Sequence, residues 1–185
     1  ANAEPVELLI GKGEVIKIEL PTNALSPVYK VNRLSQWALG KSSIGADEEF
    51  AFDIYGKAAS LASSKQLILV IRTGEKVLDG LELILMDNKD SKFGGGMYFF
   101  MNAAKVDIAV KVGDKKFGLK PRKYKLVDPK PSRTKGSRKY LNIKIYFRKG
   151  DNFQDFYANI LRYSTRARNM MFIYHDPHTK QLRTH

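Results

Sequence analysis

The stretch from Phe93 to Leu126, FGGGMYFFMNAAKVDIAVKVGDKKFGLKPRKYKL, decides the fold. Val106, Ile108, Val110 and Val112 are apolar, with Asp107, Ala109 and Lys111 between them. Period-two alternation marks a strand with one face buried. Gly113-Asp114 follows, glycine first, which suits a two-residue type II′ hairpin turn. That turn sets the register: Val112 opposite Lys115, Val110 opposite Phe117, Ile108 opposite Leu119. The apolar residues of both strands then share one face, and a slip of one residue would destroy the match. Lys120-Pro121-Arg122 reads as a turn with Pro121 presetting φ. Tyr124 and Leu126 then continue the apolar face on a third strand, completing a β-meander.

Upstream, Met97–Met101 is a continuous apolar run that suits a strand buried on both faces. Gly94-Gly95-Gly96 precedes it. A backbone cradle for an anion would need a helix N-terminus next, whereas a strand follows. A turn or bulge requiring positive φ fits the context better.

Working outward, Val6–Ile10 and Ile16–Leu20 read as strands, the second stopping at Pro21. Val28–Arg33 and Gln36–Leu39 read as short strands around Trp37, a core anchor by its setting. Lys41–Glu49 reads as a loop, and Phe50–Ile54 as a strand. Gly56–Ser64 is either a helical turn or a crossing between sheets. Leu67–Ile71 reads as a central strand, Asp79-Gly80 as a turn and Leu81–Met86 as a strand. The run Asp128–Lys139 has two prolines, no apolar residue and many cations, the marks of a mobile basic loop. Leu141, Ile143, Ile145 and Phe147 alternate as a strand. Phe153–Tyr163 carries both helical and strand periodicity; the strand reading agrees with its neighbours. Met170–Tyr174 and Gln181–Thr184 close a hairpin around Asp176-Pro177-His178-Thr179. Many short strands separated by close turns indicate a sandwich or barrel. The expectation is therefore all-β: an antiparallel β-sandwich with at most one short helix, one domain over 1–185, with 1–5 a tail and 128–139 the mobile loop.

Charge is unevenly spread. Of a net +13, residues 1–110 contribute 12 basic and 14 acidic side chains, whereas 111–149 hold 15 basic and 2 acidic ones. Such asymmetry points to an anionic partner or to a solvated strand face. The candidate anion-binding residues are Lys115, Lys116, Lys120, Arg122, Lys123, Lys125, Arg133, Lys135, Arg138 and Lys139, with Lys130 beside them. Tyr98, Tyr124, Tyr140 and Tyr146 are near in sequence, suited to stacking on sugars or bases, or to packing.

The catalytic repertoire is thin. With no cysteine, disulfides, thiolate metal sites and cysteine nucleophiles are excluded. His175, His178 and His185 all lie near the end, without a third ligand at motif spacing. No G-x-S-x-G elbow occurs, and Asp47-Glu48-Glu49 reads as a solvated acidic loop rather than half of a glycosidase pair. The expectation is a non-catalytic protein without cofactor or metal. No apolar run reaches the roughly 20 residues that cross a bilayer. Ala1-Asn2-Ala3 fits the A-x-A pattern at the end of a secretory signal, removed before Ala1 or within Ala1–Ala3.

Three segments, Leu67–Arg72, Phe93–Pro121 and Arg168–Pro177 (RNMMFIYHDP), resemble a group of uncharacterised exported bacterial proteins with a predicted immunoglobulin-like β-sandwich. Met101-Asn102 and Leu119-Lys120-Pro121 match, while Arg122 stands where that group usually has glycine. The resemblance implies an exported, periplasmic or envelope location and an immunoglobulin-like sandwich, and it implies no catalytic residues. Two function classes remain. One is an exported protein that binds or organises an anionic envelope polymer, polysaccharide, lipid surface or partner protein. The other is a cytoplasmic nucleic-acid-binding β-domain of the OB-like kind.

Overall fold

The structure, a computed structural model, describes residues 6–21, 25–45, 47–72, 80–176 and 178–185. The predicted tail 1–5, Asp79 of the predicted Asp79-Gly80 turn, and Pro177 lie outside them. The protein is all-β, with no helix among the described residues and 15 strands in open sheets. All pairings are antiparallel except one parallel pair noted below. The chain folds as two compact units, Ala1–Lys89 and Asp90–His185.

In the first unit, β1 (Val6–Gly11), β2 (Glu14–Ile18), β3 (Gln36–Ile44) and β4 (Phe50–Ala59) form a sheet in the order β2-β1-β3-β4. β5 (Gln66–Arg72) and β6 (Leu81–Asp87) form a two-stranded ribbon. Val6, Leu8, Trp37, Leu39 and Leu81 make the core, with Ile68, Val70, Leu83 and Leu85 packed against it. Trp37 is the core anchor expected, its indole N–H donating to Gln66 Oε1 at 3.0 Å. Gln66 also accepts from the Leu61 amide and donates to the Leu61 and Ser63 carbonyls. One side-chain amide therefore ties the β4–β5 connection, where Gly56–Ser64 is strand to Ala59 and loop after it.

Two readings from the sequence change in this unit. β3 runs on to Ile44 through the expected loop at Lys41, because Lys41, Ser42 and Ser43 pair with Asp53, Phe52 and Ala51 in the ladder. Backbone pairing needs no apolar side chain, so the polar run hid it. Conversely, Val28–Arg33 forms no strand: Val28 is 90% exposed, and Val31 reaches the core from an unpaired segment.

The second unit is a sandwich of two sheets. One holds β7 (Tyr98–Asn102), β10 (Tyr124–Val127), β14 (Asn169–His175) and β15 (Leu182–Thr184) in the order β10-β7-β14-β15, with β7 and β14 parallel. The other holds β8 (Ile108–Val112), β9 (Lys115–Leu119), β11 (Arg133–Lys135), β12 (Arg138–Lys149) and β13 (Asn152–Tyr163). β12 pairs along one edge with β13 and along the other with β8 and β11. Tyr98, Phe100, Val127, Met171 and Ile173 of the first sheet pack with Ile108, Val110, Val112, Leu141, Ile143 and Ile145 of the second. Fully burying each such aliphatic side chain contributes about 1.5–3 kcal/mol relative to exposure.

The β8–β9 hairpin has the register read from the sequence: Val112↔Lys115, Val110↔Phe117 and Ile108↔Leu119. Gly113 has φ +55° and Asp114 is not in the positive-φ region, the signature of type II′. The third strand differs from expectation. β10 leaves β9 and pairs with β7 in the opposite sheet. Its core residue is Val127, on the face away from Tyr124 and Leu126, and Lys125 lays its ammonium 5.2 Å over the Phe117 ring. At the crossing, Lys123 N–H donates to Lys120 O (3.1 Å), and Arg122 adopts φ +63°. That is the position for which glycine is suited in a type II turn.

Asn102 holds this crossing in place. It is completely buried, and its Nδ2 donates to Val106 O (2.8 Å) and Leu119 O (3.0 Å). Its Oδ1 accepts from Ala104 N (3.0 Å), and its backbone pairs with Arg122 and Lys123. Every polar atom of the side chain is used, as burial demands. β13 is a strand, as its neighbours implied. A bulge between Ile145 and Tyr146 lets Phe156 and Tyr157 both pack against the core, which explains the helix-like spacing in the sequence.

Candidate anion-binding face

Residues directly opposite in an antiparallel ladder point to the same side of the sheet. In the five-stranded sheet, Ile143, Ile145, Val110 and Val112 point inward, so their strand neighbours point out. Lys116 pairs with Lys111, and Lys111 pairs with Lys144. Three exposed lysines therefore stand in one row across β9, β8 and β12. Further along the same side, Arg133 pairs with Tyr140 and Lys135 with Arg138, and Tyr140 pairs with Arg162 across the other edge. The Arg133 guanidinium lies 5.2 Å from the Tyr140 ring centre. Ile160 and Phe153, about half exposed, share that side on β13.

None of Lys111, Lys116, Arg133, Lys135, Arg138, Lys144 and Arg162 forms an ion pair among the described residues. Like charges directly opposite in a ladder destabilise it by a few tenths of a kcal/mol or more. The row therefore adds nothing to folding stability. An open hollow of about 360 Å³ sits beside it, lined by Lys111, Lys144, Gly113, Asp114, Pro131, Ser132 and Asn142. Asp114 is already engaged: it accepts from Lys130 N (2.8 Å) and pairs with Lys115 Nζ (2.9 Å). These contacts, the Lys130 amide first, hold its carboxyl below the usual aspartate range.

The ten cations singled out from the sequence do not form one patch. Lys116, Arg133, Lys135 and Arg138 lie on the outward face. Lys139 faces the other way at the same end, opposite Tyr163. Lys115 and Lys125 take inward registers at the sandwich rim. Lys120, Arg122 and Lys123 sit in the β9–β10 crossing, level with Phe147 through the Leu119–Ile108–Phe147 ladder. Nine residues along β12 separate that level from Arg138, about 30 Å at roughly 3.3 Å per residue. Lys111, Lys144, Arg162 and Arg166 were not singled out from the sequence. The signal for Lys144 was its outward place between Ile143 and Ile145; Arg162 and Arg166 come from a distant segment, which a charge run cannot reveal.

The expected loop 128–139 contains β11 and closes a tight hairpin on β12 through Gly136, φ +60°. Ser132 anchors its start, its N–H donating to Tyr140 O and its hydroxyl accepting from Asn142 N. The tyrosines divide. Tyr98 is buried and stacks with Phe100, and burial, then Tyr163, pushes its phenol up. Tyr124 packs on Phe99. Tyr140 and Tyr146 remain half-buried on the outward face.

Among the described residues, no three His, Asp or Glu side chains converge as metal ligands would. Asp176 Oδ1 accepts from the His178 and Thr179 amides, so this acid caps its own turn. No helix of the described residues is long and apolar enough to cross a membrane. No protein-family model matches the chain, and no curated protein or solved structure is similar to it.

Proposed function

We infer that this protein is a non-catalytic binding module whose second unit docks an extended anionic polymer along the outward face of the five-stranded sheet. The Lys116–Lys111–Lys144 row carries this reading: three adjacent, unpaired cations held at ladder spacing of about 4.5–5.5 Å. The sheet backbone fixes the spacing of the row, so only the lysine side chains need ordering when a charged chain lies across it. Tyr140, Tyr146 and Ile160 give apolar surface between the charges on which sugar rings can rest. The partner class is an anionic polysaccharide of a bacterial cell envelope, and the protein acts there as an exported component. The resemblance to exported immunoglobulin-like proteins supports that location. The OB-like nucleic-acid reading gains no particular feature, since the second unit is a two-layer sandwich with open edges.

Affinity for a sulfated or carboxylated polysaccharide, titrated against salt, tests the proposal. Binding is expected to weaken steeply as salt rises, because cations on the protein displace counterions from the polymer. Lys111→Gln/Lys116→Gln/Lys144→Gln is expected to weaken binding and flatten the salt slope. Salt-independent affinity, or an unchanged triple variant, overturns the proposal. Tighter binding to single-stranded nucleic acid than to any polysaccharide moves the assignment to the alternative class.

A further inference from the structure

The glycine run Gly94–Gly96 serves a neighbouring turn. A Cβ on Gly95 would collide with the Thr165 carbonyl, and one on Gly96 with the Tyr163 hydroxyl. Gly96 N–H donates to Ala167 O at 2.8 Å. The glycines thus let the chain after β13 pack closely, which seats the turn Ser164–Arg166 beside the start of β12. Register places Lys139 opposite Tyr163 and Tyr140 opposite Arg162, so the β11–β12 hairpin tip abuts the same turn.

Between the two lies a hollow of about 260 Å³ lined by Arg138, Lys139, Arg162 and Arg166 together with Ser137, Tyr163, Ser164 and Thr165. No carboxylate lines it, and none of these four cations has an ion pair among the described residues. Ser164 Oγ already accepts from Arg166 N at 3.2 Å, leaving its own proton to donate outward. Three arginines, one lysine and two serines therefore line one small volume from two chain segments, 137–139 and 162–166; by register Arg138 and Arg162 share the outward side, while Lys139 is turned to the other. The geometry points to a site for a tetrahedral oxyanion ester, phosphate or sulfate, borne by a sugar unit of the polymer that crosses the sheet face.

The chemistry selects that class. A guanidinium presents a rigid fork that meets two oxygens of one anion at once. A carboxylate has only two oxygens and saturates one or two such forks. A phosphate or sulfate ester offers three terminal oxygens and can engage all three arginines. The volume lies just below the roughly 300 Å³ at which drug-sized pockets begin, which suits one charged sugar residue. The inference rests on the sheet-face reading for the polymer and adds the identity of its charged group.

Two variants of the full chain separate the claims: Arg162→Gln/Arg166→Gln in the hollow and Lys111→Gln/Lys144→Gln on the row. The ligands are inorganic phosphate, a sulfated polysaccharide, a phosphate-ester polysaccharide and a carboxylate-only polysaccharide of matched charge density. Wild type is expected to show a rise in thermal midpoint with millimolar phosphate at constant ionic strength, and to prefer an ester polymer over the carboxylate one. The hollow variant is expected to lose the phosphate shift and roughly tenfold in ester-polymer affinity, and to lose distinctly less for the carboxylate polymer, so that the ester preference disappears. Arg162→Lys/Arg166→Lys, which keeps the charge and removes the fork, is expected to lose most of the preference. The row variant is expected to weaken for all polymers alike. No phosphate shift in wild type, or no ester preference, overturns the oxyanion site while leaving the sheet-face reading standing. A row variant with wild-type affinity for every polymer overturns the sheet-face reading instead. Preference between the sulfated and phosphorylated polymers names the source of the group.

Discussion

The two units use one building plan and differ in what they expose. Each packs mainly antiparallel sheets over an aliphatic and aromatic interior, and each depends on one side-chain amide to hold irregular backbone. The first unit, with 10 basic and 12 acidic residues, is close to neutral, whereas the second has 22 and 7. Inward apolar side chains, in alternating strands and in the continuous runs of β5 and β7, specify both interiors, so charge is free to vary on the outward faces. In the second unit it is concentrated where it opposes folding. That concentration of unpaired cations is the feature on which the proposed polyanion binding rests.

The amides offer the sharpest contrast. Asn102 is fully buried and Gln66 only partly, though each makes several hydrogen bonds. Asn102→Ala strands the Val106 and Leu119 carbonyls and the Ala104 amide. At 1–3 kcal/mol for each buried group left unsatisfied, a loss of about 4 kcal/mol is expected. Equilibrium urea unfolding followed by circular dichroism measures it. Asn102→Asp sharpens the test. Its carboxylate would face two carbonyl oxygens, so the loss should deepen as pH rises and the group ionises. Gln66→Ala is expected to cost less, about 2 kcal/mol, because water can reach the freed Leu61 and Ser63 groups. Trp37 is the sole tryptophan and bonds to Gln66, so its fluorescence reports that change directly. Equal losses at the two positions would erase the contrast.

Next in size is Gly113→Ala. The hairpin turn needs φ +55°, and a Cβ there would meet the Lys130 carbonyl. A loss of about 2 kcal/mol is expected, from the left-handed backbone and the displaced 128–132 segment. Gly136→Ala, also at positive φ but with open space around it, isolates the backbone contribution and should cost about 1 kcal/mol.

These residues show what could be read in advance. The β8–β9 hairpin was legible because a turn signal and an alternating pattern specify the same register independently. β10 was not. Tyr124 and Leu126 alternate as well as Val110 and Val112 do, but alternation names no partner strand, and the Asn102 staple that redirects the chain lies 22 residues before Tyr124. β3 was truncated because Ser42 and Ser43 are held by backbone pairing rather than burial. The excess of cations was legible in composition. Its division into an outward row, an arginine hollow and a distant crossing depends on which strands become neighbours. Arg162 and Arg166, the residues on which the proposed oxyanion site turns, sit in a stretch of ordinary composition.

The smallest expected effect concerns acid, and it compares the units again. Glu7 in the first unit is held low, first by the Ser42 hydroxyl and then by the Ser42 amide. In the second unit Asp114 is held low by the Lys130 amide and Lys115, and Asp176 by the Thr179 and His178 amides. A carboxyl whose folded pKa lies below its unfolded value adds stability at pH above the unfolded value, near 4. That contribution disappears as pH falls through the lower folded value. Thermal midpoints should therefore be flat across neutral pH and decline below about pH 4. All three groups are solvent-accessible, so each contribution is modest and screened by salt. Asp114→Asn keeps an acceptor for the Lys130 amide but removes the titration, and is expected to make the acid decline shallower. It also removes a negative charge from the hollow that Lys111 and Lys144 line, so polyanion affinity should rise slightly at low salt. An acid decline identical to wild type would show that the Asp114 contacts add nothing to stability, leaving the lysine row without an internal counter-charge of consequence.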